Sequence, residues 1–450
     1  MQKKEFTKKG DPVVALDIGT TKVCVLAGRL NEYDKLEVLS EATVTSDGVL
    51  RGVIANTDKM VRAIGDAIAK CERKLGEEIQ TVHVGVAGKH IRSRQKHGII
   101  TREDTHTEIC KADVEKLITD IYKMVLNPGE KILHVVPQEF TIDGEEGITD
   151  PIGMSGIHLE ADFHIVTGQI TAFNNIERCI KRCSLTLGSL TLEPLASAES
   201  ILSIEEKEAG VALVDIGGGT TDITIYKEGI LRHTAVIPFG GDVVTKDIQG
   251  GCNVMKTQAE KLKVQFGSAL AIEASDNTYI AITDLNGRDT KEISEKNLAK
   301  IIQARVEEIF DFIVFEIEKA NLSNKLIAGI VLTGGGALLS NIQDLAALCT
   351  GYSTRIGYPV EQLSQGYPVK LHSPIYSTSV GLLLKTLRAQ RTIELEELES
   401  NEVEEASNEL EQDVEFEGNE NENQEKKEGI INSLFNGAKR FFAEKDDTEF

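Results

Sequence analysis

Apolar residues recur along this chain with two periods. Val61, Ile64, Ile68, Cys71 and Leu75 fall three and four residues apart, and so do Leu298, Ile301, Ile302, Val306, Ile309 and Ile313, which predicts helices with one buried face. Elsewhere the apolar positions bunch into short β-branched runs bounded by glycine, and these predict strands. One run occurs twice. Val13-Val-Ala-Leu-Asp-Ile-Gly-Thr-Thr-Lys-Val-Cys-Val returns as Val211-Ala-Leu-Val-Asp-Ile-Gly-Gly-Gly-Thr-Thr-Asp-Ile-Thr-Ile, so that Asp17 matches Asp215 and Gly19 matches Gly217. Each copy reads as strand, glycine turn, strand. A repeat at this spacing predicts two halves built on one plan, each opening with a β-hairpin.

Mixed strands and helices imply α/β layers. From about Val84 to Phe163 the first half is interrupted by a helical pattern at Val114, Leu117, Ile118, Ile121, Tyr122 and Val125, followed by the strand-like His134-Val-Val-Pro-Gln-Glu-Phe. This stretch is expected to be a small inserted domain. Beyond Leu387 large apolar residues become scarce. Residues 394–428 carry 16 acidic and 2 basic side chains, too little apolar surface to offset the ordering of a chain, and a disordered linker is expected there. As a coil, residues 391–428 would span roughly 35 Å.

Charge and length narrow the function. The 450 residues suffice for two or three cored domains, and most of the formal charge of −23 lies in the acidic stretch, leaving the body only mildly acidic. No basic stripe with interleaved aromatics suggests a nucleic-acid partner. Seven cysteines show no metal-site or disulfide spacing; Cys179 and Cys183 would share a helix face as packed thiols. Met1 to Lys9 is polar rather than signal-like, and no run approaches 18 apolar residues, which points to the cytosol.

The two turns are suited to phosphate, because glycine lets backbone N–H groups approach an anion closely. Gly19, Thr20, Thr21 and Lys22 on one side, and Gly217, Gly218, Gly219, Thr220 and Thr221 on the other, could clamp a polyphosphate. Asp17 and Asp215 end the strands just before the turns and could hold Mg²⁺ through its waters. A third run, Ala328-Gly-Ile-Val-Leu-Thr-Gly-Gly-Gly-Ala-Leu-Leu, predicts strand, triple glycine, helix, with Gly334, Gly335 and Gly336 open to a flat base. Neither a Walker A loop nor a G-x-G-x-x-G fingerprint is present.

These three runs resemble the phosphate 1, phosphate 2 and adenosine motifs of the actin superfamily. Asp150-Pro-Ile-Gly-Met-Ser-Gly, the His134–Phe140 segment, Arg232-His-Thr-Ala-Val-Ile-Pro and the insertion make the chain similar to the FtsA family of bacterial cell-division proteins, over residues 12–388 and again at the end. The resemblance implies an actin-like (ribonuclease H-like) two-domain ATPase fold. Residues 1–84, 164–205 and 366–390 would form domain 1A, and 85–163 the inserted 1C. Domain 2A would comprise 206–243 and 308–365, and 2B residues 244–307.

The resemblance also implies ATP and Mg²⁺ as ligands and at most a weak ATPase. It puts Glu193 where the attacking water is oriented, the alternative being a surface Glu before a proline turn. It puts Gly240 and Gly241 in the cleft, and Glu260 and Lys263 on ribose and base; Glu260 could instead complete a capping box with Thr257. The implied partners are the FtsZ C-terminal peptide on 2B, later division proteins through 1C, and further copies in a polymer. A pilus-assembly adaptor of PilM type, or a sugar or acetate kinase, is the alternative on the same fold.

On a helical wheel of about 100° per residue, Ile430, Ile431, Leu434, Phe435, Ala438, Phe441 and Phe442 fall within an arc of about 140°, with Lys439 and Arg440 on the polar side. Residues 429–444 are therefore expected to lie as an amphipathic helix in an anionic lipid surface, at midcell on the cytoplasmic side of the inner membrane by the family resemblance. A helix docked on protein would have the same period.

Overall fold

The computed structural model describes residues 12–102, 107–283 and 290–414. Its organisation follows the repeat. In the first half, strands Leu36–Thr45, Lys22–Leu30 and Val13–Ile18 form an antiparallel meander that continues in parallel with Thr81–Val86 and Thr186–Leu192. In the second half, Ile230–Ile237, Thr221–Lys227 and Val211–Ile216 form the same meander, continued in parallel by Gly329–Thr333 and Thr354–Ile356. The central strands Val13–Ile18 and Val211–Ile216 are buried nearly throughout, as continuous apolar runs in covered sheets should be.

Helices cover the sheets where the 3.6-residue pattern lies. Helix Thr57–Leu75 buries Met60, Ile64, Ala67, Ile68 and Cys71, is capped at its start by Asn56, and stops at Gly76 in the left-handed region (φ 82°). Helix Glu295–Lys319 buries Leu298, Ile302, Val306, Ile309 and Ile313 under the second sheet. Cys179 is packed in the first core, and every described cysteine is a free thiol.

The interruption of the first half is a separate four-stranded antiparallel sheet, in the order Arg92–Thr101, His158–Gln169, Glu130–Ile142, Glu145–Ile148. Helix Lys111–Tyr122 packs on it through Leu117 and Ile121. Its strand His158–Gln169 runs past residue 163 before the chain returns to the first domain.

The acidic segment departs from expectation. The final helix runs from Ser377 to Val414, so residues 391–414 are helical rather than a disordered coil. From Leu382 to Val414 there is no Gly or Pro and much Glu, Leu, Ala and Gln, all good helix formers. A helix over residues 391–414 is about 36 Å long. Poverty in apolar residues deprives a segment of a core; it does not deprive it of a helical backbone. The chain to Arg388 is one compact unit, and the part from Ala389 counts as another. Residues 415–428 and the expected amphipathic helix at 429–444 lie outside the described residues. Among the described residues no helix is long and apolar enough to cross a membrane.

Candidate nucleotide-binding site

Between the two halves lies a cavity of about 360 Å³, within the usual range for small-molecule sites. Apart from Thr221, all of Asp17, Gly19, Thr20, Thr21, Lys22, Glu193, Asp215, Gly217, Gly218, Gly219, Thr220, Gly240, Gly241, Glu260, Lys263, Gly334, Gly335 and Gly336 line it. Thr221 is fully buried, and its hydroxyl donates to the Phe239 carbonyl at 2.8 Å.

The two turns close alike: Gly19 N–H donates to the Lys22 carbonyl and Gly217 N–H to the Thr220 carbonyl, each at 2.9 Å. They also fit against one another. A Cβ on Gly218 would stand 2.6 Å from Thr21 Cγ2, and one on Gly219 would stand 2.6 Å from Thr20 Oγ1. The extra glycines of the second turn make room for the threonines of the first.

The matched aspartates meet at the start of the final helix. Ser379 Oγ donates to Asp17 at 2.7 Å, while Thr378 Oγ1 and Ser197 Oγ donate to Asp215 at 3.2 and 2.9 Å. Both carboxylates thus sit at the positive end of a helix dipole. Gly334, at φ 81°, is required beside them, since a Cβ there would lie 2.2 Å from Asp215 Oδ1. A Cβ on Gly335 would meet only Ile375 Cγ1, at 3.8 Å, and the segment after Gly334 is a 3-10 turn, Gly335–Leu338, before helix Ile342–Thr350 begins.

Lys22 Nζ is 3.0 Å from Asp17 and 4.9 Å from the centre of the Tyr376 ring. Burial alone would lower its pKa, but the Asp17 carboxylate outweighs this and keeps the ammonium charged. Helix Gly241–Cys252 is docked on the second turn: Gly241 and Asp242 N–H donate to the carbonyls of Gly217 and Gly218 at 2.9 and 2.8 Å. Glu260 accepts from Thr245 Oγ1 and from Lys263 Nζ, and Lys263 also donates to the Gly241 carbonyl at 3.0 Å. A capping box with Thr257 is excluded, because Thr257 lies inside helix Lys256–Phe266, whose N-cap is Met255.

Glu193 opens helix Glu193–Ile201 from within the cleft and is not a surface residue. Gly85 allows this, as a Cβ there would lie 2.9 Å from Glu193 Cγ. Burial first, then Asp17, Asp222 and Asp215, push the Glu193 pKa well above the carboxylate range. Burial and Asp17 likewise raise Asp215, against the hydrogen bonds from Ser197 and Thr378. Burial and Asp215 push Asp222 up to about 8.

Four carboxyl groups around one cavity favour a bound cation. Among the described residues no three His, Cys, Asp or Glu side chains are grouped to ligate a metal directly.

Sequence reasoning missed Asp222, Ser197, Thr378 and Ser379. Asp222 was within reach, since hairpin pairing sets it directly across from Asp215. Ser197 lies one turn after Glu193 on the same helix, while Thr378 and Ser379 come from a distant segment with no local signature.

Duplicated five-stranded sheets with a glycine-lined cavity between them define the actin-like class. Among solved structures, MreB5 of Spiroplasma citri bound to ADP matches with TM-score 0.52 at 16% identity, over 86% of this chain and 99% of that one. A chain of the PilM–PilN type IV pilus biogenesis complex matches with TM-score 0.62 at 12% identity, over 83% and 98%. Both likenesses show the fold. In sequence, the family model "Cell division protein FtsA" matches residues 212–381, and "SHS2 domain inserted in FTSA" matches 88–167. The FtsA of Pseudomonas aeruginosa is 39% identical over 383 residues, 85% of this chain and 91% of that protein. That of Escherichia coli K12 is 33% identical over 378 residues, 82% and 89%. The chain belongs to the FtsA family of cell-division proteins.

Proposed function

We propose that this protein binds ATP with Mg²⁺ between its two halves and uses the bound nucleotide as a conformational ligand. In this reading it polymerises on the cytoplasmic face of the inner membrane and ties FtsZ to it. The observation that carries the nucleotide reading is the mirrored pair of turns: each closes on its own glycine, and each is preceded by an aspartate held by hydroxyls at one helix terminus. Gly19–Lys22 and Gly217–Thr220 would take the phosphates, Asp17 and Asp215 the waters of Mg²⁺, Gly334–Gly336 the base, and Glu260 and Lys263 the ribose side. Mg²⁺ would offset the carboxylate charge that otherwise repels phosphate. Glu193 would orient the attacking water in a weak hydrolysis.

Residues 429–444 would lie in the lipid surface, 244–307 would receive the FtsZ C-terminal peptide, and the insert would receive later division proteins. A single such helix binds reversibly, with about 1.5–3 kcal/mol per fully buried large side chain as the upper bound. Several helices on one polymer would hold durably by avidity.

Titration with a fluorescent ATP analogue, with and without Mg²⁺, tests the site; absence of binding in both conditions would refute it. Sedimentation with anionic vesicles, with and without ATP, compares the full chain with a form ending at Glu428. Equal pelleting of the two would remove the membrane reading.

A further inference from the structure

Adjoining the nucleotide cavity lies a second space of about 10 Å³, whose lining includes Ile18, Gly52, Gly85, Ala87, His90 and Glu193. Glu193 lines both spaces, as do Ile18, Gly52 and Ala87. His90 is only 7% exposed, its ring edge-on to Phe173 at 5.9 Å between centroids, and neither ring nitrogen has a hydrogen-bond partner among the described residues. Burial pulls its pKa down to about 4, so at neutral pH the ring offers one donor and one acceptor.

Buried polar groups almost always find a partner, in protein or in ordered water. A space of about one probe sphere holds one water if polar groups flank it, and His90 and Glu193 supply the polar side chains of an otherwise apolar wall. Packing against Phe173 alone would be served as well by phenylalanine, which brings no unpaired nitrogen.

We infer that His90 is a positioning residue for Glu193, holding one buried water that hydrogen-bonds the Glu193 carboxyl and fixes its direction into the cleft. This rests on the reading of Glu193 as the residue that orients the attacking water. His90 lies in the connection between strand Thr81–Val86 and the first strand of the insert, Arg92–Thr101. That connection is held tightly. Gly88 (φ 129°) and Gly52 (φ 71°) approach so closely that a Cβ on Gly52 would lie 2.5 Å from Gly88 Cα. The joint that admits the insert therefore carries the support of Glu193.

The test uses full-length protein with His90→Phe, which keeps the ring packing, and His90→Gln, which keeps a polar atom. Steady-state ATP hydrolysis with Mg²⁺ is expected to fall about tenfold in kcat for His90→Phe with KM within about twofold, and to be largely restored by His90→Gln. His90→Phe added to Glu193→Gln should slow that variant no further. Equal melting temperatures show that the variants fold. Crystal structures without nucleotide should contain the water in wild type and His90→Gln and lack it in His90→Phe. A dry cavity in wild type, an unchanged kcat in His90→Phe, or additive losses in the double variant would overturn the inference. If wild type turns over no ATP, the role given to Glu193 fails, and the crystal structures alone decide whether His90 holds the water.

Discussion

Gly240→Ala tests how the second half grips phosphate. The Gly240 backbone is extended, so the obstacle to a side chain is spatial and not conformational. A Cβ would meet three backbone oxygens, of Gly217 at 2.5 Å, Thr220 at 2.8 Å and Gly218 at 2.9 Å. Two of these accept the N–H groups of Gly241 and Asp242 that dock helix Gly241–Cys252 onto the turn. To restore ordinary contact the Gly217 carbonyl has to retreat by about 1 Å. Overpacking of this kind costs about 1–3 kcal/mol. The empty protein relaxes part of the strain by shifting the turn, whereas nucleotide binding has to draw the turn back. Affinity for ATP should therefore weaken by about 5- to 150-fold. Gly250→Ala, in the same helix, is the control: nothing lies within 4 Å of the added methyl, and it should stabilise the protein by about 0.5–1 kcal/mol with unchanged affinity. Fluorescent-ATP titration and thermal melting measure both. Wild-type affinity in Gly240→Ala would refute the reasoning, because the turn would then bind phosphate, if at all, without being fixed by Gly240.

Three further outcomes follow from other contacts. Asp222 titrates near 8 in the fold and near the ordinary carboxylate value when unfolded, so its contribution to stability is present at low pH and is lost as pH rises through about 8. Asp222→Asn should flatten this decline in melting scans of nucleotide-free protein between pH 4 and 8; a parallel profile would count against the buried charge. Gln138 Nε2 donates to the buried Leu231 carbonyl at 2.5 Å, on the edge strand of the second sheet. Gln138→Ala should cost about 1–3 kcal/mol in urea unfolding, and an unchanged first transition would show that this seam between insert and second domain contributes nothing. Lys263→Met removes the ammonium that donates to the Gly241 carbonyl and the Glu260 carboxylate, leaving Thr245 Oγ1 as their shared side-chain donor, and should weaken ATP binding by about tenfold, measured by equilibrium dialysis; unchanged binding would remove Lys263 from the site.

The duplicated plan was legible because the hairpin turns and the residues that bind at them are the same few positions: Asp17 to Lys22 and Asp215 to Thr221 specify strand end, turn and candidate ligand contacts within a few residues. What supports those positions was not legible, because it is contributed across the chain. Ser379 reaches Asp17 over 362 residues and Thr378 reaches Asp215 over 163, and two hydroxyls opening a helix look like any N-terminus until both sheets are assembled. Local grammar left two readings open at Glu260, where Thr257 three residues earlier mimics a capping box, while the helix begins before it and the carboxylate turns to Thr245 and Lys263.

The acidic stretch misled, since its composition forecasts what it can bury, not how its backbone runs. One helix, Ser377–Val414, opens on the two aspartates and continues into the acidic residues. Gly381 permits this start by letting the helix approach Ala196 so closely that a Cβ would lie 1.8 Å from the Ala196 carbonyl oxygen. In the first turns of that helix, Ser377, Thr378 and Gly381 meet Ser200, Ser197 and Ala196 of helix Glu193–Ile201. Beyond Arg388, as far as Val414, the sequence lacks Gly and Pro and is rich in good helix formers, which favours the same backbone.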